Sequence, residues 1–187
     1  MNPMVTSKEE ILAASKKLMM EQGWAAVNIR SVAAACGVAV GSIYNYYQSK
    51  ADLVGAAVES VWREIFPISE SELTSKSFLE CVEWFFQSME KGSRDYPGVF
   101  TLHSMGFLGG DKAKGQQLMR KSWEHIKQNL YIVLVNDRNV RPGALQEPLT
   151  PEAFIEMIFS LLVSSMIKGE YDSAPIAELI RRSIYSP

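Results

Sequence analysis

The chain has 187 residues, 47% of them hydrophobic and 21% charged, with a formal net charge of −2. That balance belongs to an ordinary folded protein and excludes a disordered or low-complexity chain. The length fits one large domain, or a small domain joined to one of ordinary size.

Charge is unevenly spread. Residues 1–50 hold five basic side chains against three acidic ones, and the remainder is acidic on balance, so the weak basic bias sits at the N-terminal end. The opening MNPMVTSKEE is polar, with no charged patch leading into an apolar stretch, which predicts no signal peptide and a cytoplasmic protein. Cys36 and Cys81 lie far apart without partners at metal-ligand spacing. They read as buried reduced thiols, and neither a metal nor a cofactor is expected.

Helical periodicity runs through almost the whole chain, which predicts an all-α fold. Ser7 with Glu10 three residues on is a capping box for a first helix over 8–22, with Ile11, Ala14, Ser15, Leu18 and Met19 on one face and a left-handed Gly23 at its end. Asn28 caps a short second helix that stops at Gly37, and a third runs over 40–47. Ser49 caps a longer one over 50–66, closed by Pro67. A helix over 77–94 is apolar around most of its circumference, a short helix runs from Pro97 to Met105, and GFLGGDKAKG is a loop. It lacks the G-x-x-x-x-G-K-[ST] spacing of a phosphate cradle.

Two long helices follow over 114–135 and 151–168, the second opened by Thr150 and Pro151, and a last short helix covers 175–184. The stretch from Pro151 to Lys168 is the candidate membrane span, but it carries Glu152, Glu156 and three serines. It reads as a buried helix, and no membrane partner is expected.

The second and third helices with the Gly37 turn have the form of a helix-turn-helix, whose second helix must offer small or polar groups outward to reach base edges. Val38, Ile43 and Tyr47 supply the inward set, leaving Gly41, Ser42, Asn45 and Tyr46 outward and Tyr44 close to phosphates. The segment IRSVAAACGVAVGSIYNYYQSKADLVGAAVE resembles the DNA-binding unit of the TetR family of bacterial transcription regulators, with Gly37, Val38, Gly41, Ile43, Tyr44, Lys50 and Leu53 in register.

The resemblance implies that Tyr44 and Lys50 touch phosphates, that Arg30 or its neighbours hold the flanking backbone, and that Ser42, Asn45 and Tyr46 face the major groove of a double-stranded DNA operator. Ala39 and Val40 stand where the family has polar or basic residues, and Val40 offers an apolar contact to a thymine methyl. Tyr47 replaces the more usual Phe.

The same resemblance implies a DNA-binding domain over 1–48 and a helical effector-binding and dimerisation domain over 49–187, connected by the helix over 50–66. It implies a homodimer joined by the two long helices, with Met119, Trp123, Ile126, Leu130, Phe154, Ile158, Leu161, Leu162 and Ser165 at the interface. Ser160 and Ser164, four apart, permit close helix approach. A small-molecule effector is expected among Trp84, Phe85, Met89, Phe100, His103, Met105, Phe107 and Trp123, an aromatic and Met-rich set suited to apolar or aromatic molecules.

The leading expectation is a repressor released from a near-palindromic operator by such an effector, and the second is a DNA-binding protein of the same fold without one. An enzyme is not expected, because no Ser-His-Asp, metal or paired-carboxylate constellation is visible.

Overall fold

The structure, a computed structural model, describes residues 6–67, 75–100 and 112–185, without the side chains of 112–116, 118 and 121. Among the described residues there are eight α-helices and no strand, only an isolated bridge between Val140 and Tyr185. No described helix is long and apolar enough to cross a membrane. The chain divides into two compact units, one of Met1–Ile65 with Gly92–Met119 and one of Phe66–Lys91 with Arg120–Pro187.

The first unit starts with α1 (Lys8–Gln22), opened by the expected reciprocal box: Ser7 donates its N–H to Glu10 Oε2 at 2.9 Å, and Glu10 N–H donates to Ser7 Oγ at 3.1 Å. Ile11, Ser15 and Met19 turn inward, and the buried Ser15 hydroxyl is satisfied by the Ile11 carbonyl at 2.7 Å. The stop at Gly23 differs from expectation. Its φ of 79° is positive, but its ψ of 172° is extended, so the chain leaves the helix straight and then makes a 3₁₀ turn over Trp24–Ala26. That pair of angles is open essentially to glycine alone.

Helix α2 (Ile29–Cys36) begins at Asn28, whose side chain accepts from the N–H groups of Arg30 and Ser31, both at 3.1 Å. Gly37 ends it in the left-handed conformation, with Gly37 N–H donating to Ala34 and Val38 N–H to Ala33, the paired bonds of a Schellman closure. Helix α3 is Val40–Tyr44 and not the expected 40–47. Tyr46 and Tyr47 both direct their N–H to the Ile43 carbonyl at 3.0 Å, so the last three residues wind as a turn.

Helix α4 (Lys50–Ile65) follows, its first turn held by Ser49 Oγ accepting from Asp52 N–H at 3.1 Å. Leu53, Val54, Ala57, Val58, Val61 and Ile65 join Ile11, Met19, Val32 and Ile43 in one apolar core. Each such side chain contributes about 1.5–3 kcal/mol by leaving water.

Residues 92–100 complete this unit and are fastened to the end of α4. A Cβ on Gly92 would lie 2.8 Å from the Ile65 side chain, so only glycine permits this approach. Trp62 meets Phe100 edge-on, ring centroids 5.8 Å apart. The Glu64 carboxylate accepts from both Tyr96 and Lys16, linking this segment, α4 and α1. Burial would raise the Glu64 carboxyl, but the Lys16 and Tyr96 bonds outweigh it and hold it below the usual range. Burial and Glu64 together push the Tyr96 phenol up to about 12. The expected helix from Pro97 begins as a turn through residues 97–100, and its remainder lies outside the described residues.

In the second unit, α5 (Phe78–Asp95) contributes Phe78, Cys81, Val82, Phe85, Phe86 and Met89 to the core. Burial pushes the Cys81 thiol up to about 12, and Cys36 and Cys81 are both free. The start of α5 is tied down by distant groups: Phe78 N–H donates to Asp137 Oδ2 at 2.7 Å, Leu79 N–H to the Tyr185 hydroxyl at 3.1 Å, and that hydroxyl to Asp137.

Helix α6 is Lys112–Asn136, so the expected loop over 106–115 is helical at its end. Helix α7 (Pro151–Lys168) has the expected Thr150 cap and a left-handed Gly169 after it, and α8 is Ala174–Ile184. Helices α6 and α7 run antiparallel, shown by Trp123 against Phe159 with centroids 5.7 Å apart and Lys127 Nζ to Glu156 Oε1 at 2.6 Å.

Candidate nucleic-acid interface

Helix α3 is one turn long, and its first position follows Ala39, which offers no side-chain cap. Its own hydrogen bonds cannot sustain so short a helix. Burial sustains it instead: Ile43 is fully buried and Tyr47 is 7% exposed, while Val38 is half-buried in the turn before it. Burial, with Glu9 nearby, raises the Tyr47 phenol.

The opposite face is bare. Ala39, Val40, Gly41, Tyr44 and Asn45 are exposed and Ser42 is half-buried, with Val40 at 39% and Tyr44 at 51% exposure. A Cβ on Gly41 would meet nothing within 4 Å, so the protein's own packing does not demand a glycine there. Tyr46 keeps 37% of its surface, but its hydroxyl donates to the Thr6 carbonyl just ahead of α1.

Arg30 and Lys50 are exposed at the N-terminal ends of α2 and α4, and neither forms an ion pair with a described residue. Lys16, by contrast, is spent on Glu64, and Lys17 faces Glu21 at 3.9 Å. Bare cations beside a solvent-facing helix are what phosphate contacts and groove readout require.

The other expected sites are less gathered. Trp84 and Phe85 cluster with Phe66, whose ring lies 6.0 Å from Trp84 and 5.3 Å from Phe85. Met89 is buried in the same unit, whereas Phe100 is buried in the first unit. Trp123 joins Phe159 instead, and its indole N–H is buried with no described partner. His103, Met105 and Phe107 lie outside the described residues.

Of the expected interface, Leu130, Phe154, Ile158 and Leu162 are buried within the single chain, as is Met119 in the first unit. Trp123, Ile126 and Ser165 are half-buried and Leu161 is 37% exposed. Met157, which periodicity alone did not separate from the core, is 52% exposed one turn from Leu161. Sequence reading also missed Thr6, Lys16, Glu64, Tyr96, Asp137 and Tyr185, whose contacts join residues too distant to leave a local pattern. Ser31 had a signal: it stands three residues after Asn28 and closes a reciprocal box, donor and acceptor at 3.2 Å.

A three-helix unit with a left-handed glycine between its last two helices, and a bare face on the second of them, has the form of a DNA-binding helix-turn-helix. Residues 11–57 of the 187 match the family described as "Bacterial regulatory proteins, tetR family".

Three solved structures share its fold over nearly their full length. A transcriptional regulator from Rhodococcus sp. Rha1 is 15% identical over 97% of this chain and 100% of its own, with a TM-score of 0.69. The regulator FadR from Bacillus subtilis, in complex with stearoyl-CoA, is 17% identical over 94% of this chain and 96% of its own, with a TM-score of 0.67. SmeT, the repressor of the Stenotrophomonas maltophilia multidrug efflux pump SmeDEF, is 16% identical over 97% of this chain and 91% of its own, with a TM-score of 0.64. No curated protein matches the chain in sequence.

Proposed function

We propose that the chain is a repressor that binds a near-palindromic operator as a homodimer and leaves it when a small apolar or aromatic effector binds. The observation that carries this reading is the uncovered face of α3, with Arg30 and Lys50 exposed at two flanking helix starts and in no ion pair with a described residue. Tyr44 and Lys50 engage phosphates, and Arg30 holds the flanking backbone. Ala39, Val40, Gly41, Ser42 and Asn45 face base edges, Val40 against a thymine methyl.

Dimerisation through α7 is supported by exposed Met157 and Leu161 with the small side chains Ser160 and Ser164 between and beyond them. A two-fold contact covers such a strip with its own copy. The buried members of the expected interface then support the dimer from behind and do not touch the partner.

An apolar effector is supported by the Phe66, Trp84 and Phe85 cluster, which holds no charge. The regulator FadR from Bacillus subtilis is in complex with stearoyl-CoA, which makes that acyl thioester a rational first probe here. Release follows if the effector binds more tightly to the state that fits DNA poorly.

Selection of bound sites from random DNA tests the reading. It is expected to return an inverted repeat with half-site centres about one DNA turn apart, roughly 34–36 Å. A set of bound sequences with no internal symmetry would sink the dimer-on-operator reading. Repeating the selection with stearoyl-CoA and with small aromatic compounds reads the effector, and operator affinity unmoved by every bound compound removes that part.

A further inference from the structure

The geometry points to Tyr46 as a positioning residue for DNA recognition, which sets the angle of α3 through the Thr6 carbonyl and does not read a base. The inference rests on the proposed DNA binding and deepens it.

Helix α3 has little local support, being five residues long with no side-chain cap. Ile43 and Tyr47 anchor it, and they stand four residues apart, nearly along the line of the helix. Two anchors on one line resist lifting but leave a roll about that line. Such a roll carries Val40, Gly41 and Tyr44 sideways across a groove, where an error of an ångström loses a hydrogen bond or a methyl contact.

The Tyr46 hydroxyl supplies a third point off that line. It reaches 40 residues back along the chain to the Thr6 carbonyl. That acceptor is itself fixed: Thr6 is 5% exposed and directly precedes Ser7, whose reciprocal box with Glu10 sets the backbone at the start of α1. The Cys36 thiol at the end of α2 also lies 3.9 Å from the Glu10 carbonyl, so α2 meets the same turn of α1. Because the hydroxyl proton is committed to Thr6, Tyr46 offers no donor to a base unless this tether breaks.

The test is Tyr46→Phe in the full chain, which keeps the ring and removes only the hydroxyl. Affinity is measured at one salt concentration for the selected operator and for operators altered at one base pair each. Amide exchange across residues 40–47 is followed in parallel, free and DNA-bound. The expected result is binding weakened roughly three- to tenfold on every operator, the size of one lost neutral hydrogen bond, with the ranking of operators unchanged. Exchange at 40–47 quickens in the free protein and returns to the wild-type rate on DNA, while α1 and α2 keep their protection. Unchanged affinity and exchange overturn the proposal. A loss confined to operators keeping one particular base pair overturns it in favour of a reading role. Wild-type protein that selects no DNA removes the binding reading itself, an outcome visible before the variant is made.

Discussion

Gly41 is the plainest case of a side chain whose absence the protein does not need. Glycine inside a helix costs about 0.5–1 kcal/mol relative to alanine, and here no neighbour lies within 4 Å to repay it. Gly41→Ala is therefore expected to raise unfolding stability by about 0.5–1 kcal/mol in urea titrations while weakening operator binding, because the added methyl stands where DNA approaches. A variant that gains stability and keeps full affinity would mean that DNA does not come close at this position. Val40 and Tyr44 were legible in the sequence, since the turn at Gly37 fixes which way the next helix faces. The Tyr46 tether was not, because an acceptor 40 residues away leaves no periodic mark.

Helix ends with local caps were readable for a physical reason: Ser7, Asn28, Ser49 and Thr150 each bond within three residues. Helix α3 was overextended because Tyr46 and Tyr47 suit helical spacing, yet both backbone donors share the Ile43 carbonyl. The start of α5 has a local cap as well, Ser77 Oγ accepting from Glu80 N–H at 3.2 Å, and adds to it Asp137, 59 residues from Phe78. Asp137→Ala strands the Phe78 donor and the Tyr185 hydroxyl, and chemical denaturation should show a loss of about 1–3 kcal/mol. A loss below a few tenths would assign the fastening of α5 to the Ser77 cap and apolar contacts.

The end of α4 has a pH signature. The Glu64 carboxyl titrates below its usual range when folded, so its contribution is complete above the unfolded value of about 4.3 and is lost as pH falls through the folded one. Comparing the melting temperature of wild type and Glu64→Gln, we expect a constant gap above about pH 5 that closes at lower pH. A gap independent of pH would show that the carboxylate charge does not matter to the fold. The half-exposed position of the pair keeps the effect small, under about 1 kcal/mol.

For the assembly, apolar periodicity marks a helix face without saying whether its own chain or a second copy covers it. Leu130, Phe154, Ile158 and Leu162, expected at the interface, are buried within the single chain, while Met157 and Leu161 remain exposed on it. Leu161→Glu is expected to give a monomer by light scattering at micromolar concentration with nearly unchanged circular dichroism, and to lower operator affinity by well over tenfold through loss of the second half-site. A dimer that survives this change places the contact on another face.

Two long-range contacts bracket the first half of α1: Thr6, just before it, holds Tyr46, and Lys16, midway along it, holds Glu64, which also accepts from Tyr96. The helical stretch from residue 8 to residue 16 lies between them, about 12 Å of stiff rod. The first half of this helix is thus a strut that joins the two contacts. Residues 92–100 are thereby linked, through Glu64 of α4 and this stretch of α1, to the Thr6 carbonyl that holds the recognition turn.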